Sequence, residues 1–158
     1  MVYQSEAELE NLLIEQLKDQ GYTSVNINNY HDLEENFKKQ FSLFNASKLE
    51  KPLSDKEWER VFNYLLGKSV FQSAKILRDK FILERDDGKK VYVALLDEDH
   101  TKNLFQVTHQ TTVVGKYVNR YDVTLLVNGL PLMQIELKRR GIDIKESCIN
   151  LGSIHRGV

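Results

Sequence analysis

The sequence has a single cysteine, Cys148, which excludes a disulfide framework and argues against a cysteine-built zinc site. Only two prolines occur, Pro52 and Pro131, with no internal repeat and no low-complexity stretch, so neither a solenoid nor a long linker is expected. No apolar run reaches the length of a membrane span, and the opening MVYQSEAELE lacks the apolar centre of a signal peptide. The expectation is a cytoplasmic chain with no membrane partner. An excess of positive charge is also missing. Lys and Arg total 22 against 23 for Asp and Glu, a net charge of −1. Binding of nucleic acid by bulk charge is therefore excluded, and any DNA contact must be local or shared with a partner. What is present, 158 residues with 41% hydrophobic and 28% charged, suits one domain over 1–158 that buries a core without a staple. A seam, if there is one, is expected near Lys51-Pro52.

Helices dominate the first half. Leu9, Leu12, Leu13 and Leu17, with Ile14 beside them, predict a helix over 5–20 that is stopped by Gly21. Ser5 and Glu8 have the spacing of a capping box, and Ser54 and Glu57 repeat it before Trp58, Val61, Phe62 and Leu65. Further helices are expected from about His31 to Phe44 and from Val70 to Arg78. Residues 30–80 read as a structural helical insert. Beyond residue 80 the texture turns to strands: 81–83 and 91–96 around Asp86-Asp87-Gly88, then 104–114, then 122–127 and 132–138 flanking Asn128-Gly129. A last helix is expected over 142–150. Helices, then strands, then a helix predict a mixed α+β (α/β) chain.

Several features bear on chemistry. Asp97-Glu98-Asp99-His100 mimics a D-E-x-H helicase box, but the phosphate cradle Gly-x-x-x-x-Gly-Lys-Ser/Thr is missing, so it reads as a solvated acidic turn. His31, His100, His109 and His155 lack metal-ligand spacing, and Cys148 reads as a packing residue. The strongest feature is Asp122 followed, after thirteen residues, by Glu136-Leu137-Lys138. Along a strand Glu136 and Lys138 share one side, and Ile135 and Leu137 share the other, apolar one. Asp with Glu is the hard oxygen pair that magnesium prefers, and a neighbouring Lys can orient an attacking water and stabilise charge developing on a phosphate. This is the D-(x)13-E-x-K core of PD-(D/E)xK phosphodiesterases, although common residues in that pattern also describe a surface charge pair.

Hairpin register supplies a geometric expectation. A two-residue loop at Asn128-Gly129 pairs Asp122 with Ile135 and puts the acid on the wrong face. A three-residue loop, Val127-Asn128-Gly129, pairs it with Gln134 and gathers Asp122, Gln134, Glu136 and Lys138 on one face. The three-residue loop is the expectation. Of the first helix's acids Glu6, Glu8, Glu10 and Glu15, each reads singly as a solvated helix face. Glu10, at the edge of the apolar stripe, is the candidate to join a metal site.

The block NRYDVTLLVNGLPL at 119–132, followed by QIELKRRG at 134–141, resembles the nuclease core of type I restriction enzyme R subunits. Tyr3-Gln4-Ser5-Glu6, Leu9-Glu10 and Gly21-Tyr22 resemble that family's N-terminus, whereas residues 23–100 match only loosely. The resemblance implies a PD-(D/E)xK restriction-endonuclease-like fold, a central mixed sheet flanked by helices. In the family, this domain precedes ATP-hydrolysing motor domains that translocate duplex DNA and works with modification and specificity subunits. By carry-over, Asp122, Glu136 and Glu10 would bind Mg2+ and Lys138 would assist the attacking water. Lys138, Arg139, Arg140 and Lys145 offer local DNA contacts, or equally an exposed strand end and helix start. ATP binding belongs to the motor domains and is not expected of this chain. The family also carries a Gln and a Tyr on the helix after E-x-K, and residues 139–158 contain neither. A stand-alone nuclease or junction resolvase, and a catalytically silent DNA-binding or docking module, remain the alternatives.

Overall fold

The computed structural model describes residues 5–114 and 118–137. The element order is α1 (Glu6–Asp19), β1 (Thr23–Ser24), α2 (Tyr30–Phe44), α3 (Asp55–Leu65), α4 (Val70–Arg78), β2 (Phe81–Glu84), β3 (Lys90–Val93), a 3-10 turn (His100–Lys102), β4 (Phe105–Val114), β5 (Val118–Val127) and β6 (Leu130–Ile135). This is the mixed α+β class that the sequence predicts. The helix expected over 142–150 lies outside the described residues. Two sheets form among those described, one of four strands ordered β1-β4-β5-β6 and one pairing β2 with β3.

The chain divides into two compact units. Among the described residues, 5–30, 107–114, 118–126 and 131–137 make one, and residues 31–106 with 127–130 make the other. The seam expected at Lys51-Pro52 is therefore misplaced. Both carbonyls there accept hydrogen bonds from the Arg85 guanidinium at 3.2 Å, which ties them into the second unit.

In the first unit, α1 starts at the predicted capping box. Ser5 Oγ accepts from the Glu8 N–H at 3.2 Å, and the Glu8 carboxylate accepts from the Ser5 N–H at 2.8 Å. The buried line on this helix is Glu10, Ile14 and Leu17, at i, i+4 and i+7, while Leu12 is 49% exposed. The predicted leucine stripe is thus rotated, and Glu10 lies within the buried line rather than at its edge. Ile14 and Leu17 pack in a cluster with Val107 of β4 and Val123 of β5, and Leu125, Ile135 and Leu137 pack against it.

The second unit is built around rings. Phe37 and Phe41 of α2 are buried, one turn apart, with ring centroids 5.6 Å from each other, and Trp58 and Phe62 of α3 close the group. Offset and tilted aromatic pairs of this kind stabilise beyond the area they bury, by about 0.5–1.5 kcal/mol each. The β2–β3 hairpin adds Phe81, Leu83 and Val93 to the same core, its register pairing Phe81 with Val93 and Glu84 with Lys90.

β3 stops at Val93, short of the predicted 91–96. Asn45, fully buried after α2, explains the early end. Its side chain accepts from the Ala94 N–H and donates to the Ala94 carbonyl, both at 3.0 Å. Asn128 does the same one residue on, donating to the Leu95 carbonyl at 2.8 Å. Amide side chains thus take the place of a neighbouring strand.

Candidate functional site

The turn between β5 and β6 sets where Asp122 falls. Asn128 has φ 52° and Gly129 has φ 84°, both left-handed, with β5 ending at Val127 and β6 starting at Leu130. This is a two-residue turn with the sign pattern of type I′, which Asn-Gly favours. The expected three-residue loop is not formed. Packing around the turn holds the shorter one. Asn128 is buried and donates to Leu95 and to the Asn103 side chain, and it accepts from the Leu104 N–H at 2.8 Å. A Cβ on Gly129 would meet Phe37 Cα at 2.7 Å.

With that turn an uninterrupted ladder places Asp122 opposite Ile135, so register no longer gathers the charged residues. A different contact links Asp122 to the E-x-K segment. β6 ends at Ile135, and the Asp122 carboxylate accepts the Leu137 N–H at 2.7 Å. The first acid of the pattern therefore sits on the peptide joining Glu136 to Leu137. Asp122, Glu136 and Leu137 are all half-buried. Ile135 and Leu137, on either side of Glu136, pack on the apolar cluster as predicted.

Glu10 has a partner that sequence reading passed over. Its Oε1 accepts from His109 Nδ1 of β4 at 2.9 Å, with the glutamate side chain 10% exposed and the imidazole 46% exposed. An ionised carboxylate can only accept, so the ring must present its N–H here. The signal in sequence was slight: His109 alternates with Val107 along β4, which puts both on the side that α1 covers.

The acidic run Asp97-Glu98-Asp99-His100 forms a turn. Asp97 Oδ1 accepts from the Asp99 N–H at 2.9 Å, and Asp99 caps the 3-10 turn by accepting from Thr101 N at 3.1 Å. Asn103 closes it by accepting from the Asp97 N–H. Hydrogen bonds from the Thr101 side chain and backbone hold the Asp99 carboxyl below its usual range. The run is a local cap, as expected.

No group of three or more His, Cys, Asp or Glu side chains is arranged to hold a metal among the described residues. Glu10 and Asp122 are each engaged with one hydrogen-bond donor, and Glu136 also has a partner. A carboxylate retains acceptor capacity beyond one N–H, and oxygen donors are what a hard divalent cation selects. Carboxylate oxygens are the donor type that magnesium selects, but the described residues do not gather three of them. Lys138, Arg139, Arg140, Lys145 and Cys148 lie outside the described residues. No described helix is long and apolar enough to cross a membrane.

Residues 3–150 match the family model described as the type I restriction enzyme R protein N terminus. The chain is 52% identical over 149 residues to the type I restriction enzyme SsaAORF53P endonuclease subunit of Staphylococcus saprophyticus, a match covering 93% of this chain and 16% of that protein. The SauMSSORF170P endonuclease subunit of Staphylococcus aureus gives the same identity and coverage. The EcoprrI endonuclease subunit of Escherichia coli is 38% identical over 161 residues, covering 98% of this chain and 49% of that protein. The chain therefore spans about a sixth of the staphylococcal relatives and about half of the third. On this evidence it belongs to the type I restriction enzyme R protein N-terminus family.

Proposed function

We propose that the chain is a magnesium-dependent endonuclease domain of the PD-(D/E)xK kind, acting on unmodified duplex DNA within a type I restriction system. Three relatives named endonuclease subunits support the class of activity. The observation that carries the reading for this chain is the hydrogen bond from the Leu137 N–H to Asp122, which holds the first acid against the E-x-K segment.

In this reading Asp122 and Glu136 would hold the cation, and Glu10, engaged by His109, would have to shift to join them, because the described residues gather no group of three such side chains. Bound magnesium would act as a Lewis acid on the phosphate and lower the pKa of an attacking water. Lys138 would assist the attacking water and offset charge developing on the phosphoryl oxygens. Arg139, Arg140 and Lys145 would supply local contacts to the DNA backbone. Motor domains that use ATP, and modification and specificity subunits, are the proposed partners, and the proposed location is the cytoplasm.

The test is calorimetric titration of Mn2+ into the chain, beside Asp122→Asn. Manganese accepts the same oxygen ligands. The Asn side chain can still accept the Leu137 N–H, so the fold is kept while the charge is removed. Binding by the parent chain that disappears in Asp122→Asn supports the site. Equal binding by both chains, or binding by neither, sinks it.

A further inference from the structure

The second unit carries a basic cleft that the proposed nuclease chemistry does not use. Its volume is about 280 Å³, and its lining includes Lys48, Lys51, Lys89, Lys90 and Arg85 against two acids, Glu50 and Asp87. The four lysines are exposed, while Arg85 is buried. Arg85 is neutralised from within, its Nε 2.8 Å from Glu57. Glu50 reaches only Lys89, at 3.6 Å. No ion pair within 4 Å among the described residues engages Lys48, Lys51 or Lys90, so the cleft keeps more positive groups than its two acids offset. The field is felt inside it. The Lys89 backbone N–H holds the Asp87 carboxyl below its usual range, and the charges of Lys51, Lys89 and Arg85 act in the same direction. Lys48 also lines a second, wider depression with Arg78, Lys80 and Lys102 against two acids, Asp97 and Glu98, so cations outnumber acids there too.

An isolated pocket for a small anion would pair convergent donors with a closed wall. Here the cations are flexible, exposed and spread along two adjoining depressions, which suits a repeating polyanion. Duplex DNA presents its phosphates as such a series, and lysine meets phosphate as a point charge. We propose that this lysine-lined surface, formed by the residues after α2 and the β2–β3 turn, is a non-specific docking site for the phosphate backbone of duplex DNA. Its residues belong to the second unit, and the carboxylates belong to the first. The proposal rests on the reading of the chain as a DNA-acting domain. A near-neutral net charge does not oppose it, because cations outnumber acids in the lining of both depressions.

The experiment is fluorescence anisotropy of a labelled duplex two helical turns long with the 158-residue chain between about 50 and 200 mM salt. The parent chain is compared with Lys51→Gln/Lys90→Gln and with Lys18→Gln, an exposed lysine of the first unit, all in EDTA. Both lysines are exposed, so the double variant is expected to keep the parent's circular dichroism and melting temperature. Each lost phosphate contact reduces the slope of log affinity against log salt by about 0.9, so the double variant should bind more weakly with a slope shallower by about 1.8. Lys18→Gln should match the parent. No duplex binding by the parent, or an unchanged affinity and slope in the double variant, overturns the proposal. Lysine-dependent binding of inorganic phosphate without duplex binding also overturns it, in favour of a small-anion site. The two readings fail separately. Loss of the Mn2+ result leaves the lysine-dependent slope standing, and loss of the slope leaves the carboxylate site standing.

Discussion

The buried pair of Glu57 and Arg85 shows how single residues hold the second unit. Both side chains are almost wholly buried. Glu57 accepts from Arg85 Nε at 2.8 Å, from Asp86 N at 2.8 Å and from Ser54 N at 2.9 Å. Burial pushes the Glu57 carboxyl up, but the Ser54 N–H, the guanidinium and the Asp86 N–H together outweigh it and hold the group below its ordinary 4.5. A depressed folded value means that this contribution is complete above about pH 4.5 and is lost as pH falls through the folded value. Glu57→Gln strands a buried guanidinium and should cost about 3–5 kcal/mol. Urea midpoints at pH 7 should show that loss, and the gap between parent and variant should narrow as the titration is carried into acid. A gap independent of pH would contradict the assignment. At the candidate site, by contrast, the acids were readable from sequence but their company was not. Asp122 and Glu136 stood out by spacing. The Leu137 N–H that meets Asp122, and the His109 that meets Glu10 from ninety-nine positions away, are products of packing that no local pattern announces.

At the level of elements, local signals decided the helices. Three serines, Ser5, Ser54 and Ser69, each begin a helix with a reciprocal capping box to the third residue on, and α1, α3 and α4 begin where those boxes place them. Ser54→Ala removes the acceptor for the Glu57 N–H and should cost about 1 kcal/mol, read as a lower urea midpoint. The strands were less legible because their ends answer to distant partners. β3 ends on Asn45 and Asn128, whose amides arrive from α2 and from the β5–β6 turn. That turn itself was misjudged by weighing a catalytic register above the plain preference of Asn-Gly for two left-handed positions. Gly129→Ala tests the turn. Its Cβ would press on the α2 backbone at a φ that side chains rarely adopt, so a loss above about 2 kcal/mol is expected, with the urea midpoint falling accordingly. An alanine tolerated within about 0.5 kcal/mol would contradict the close approach.

Across the whole molecule, charge and family set the frame. The near balance of 22 cationic and 23 acidic side chains gives an isoelectric point of about 6.4. Light scattering should find the weakest intermolecular repulsion near that pH, with repulsion recovering on either side. A monotonic trend through it would show that the segregated lysine surface, rather than net charge, governs how molecules approach each other. The family was legible because one block, 119–132, is long and specific, while the helical region between it and the N-terminus offered mainly periodicity. One further property follows from the asparagines beside β3. A two-stranded sheet has nothing but rims, and an apolar run such as 91–96 would, if fully extended, present free N–H and C=O groups to the next molecule's backbone. By bonding Ala94 and Leu95 from within, Asn45 and Asn128 leave that rim with no template at its apolar end, so the hairpin stays a closed ornament of its own unit instead of the first rung of a fibre.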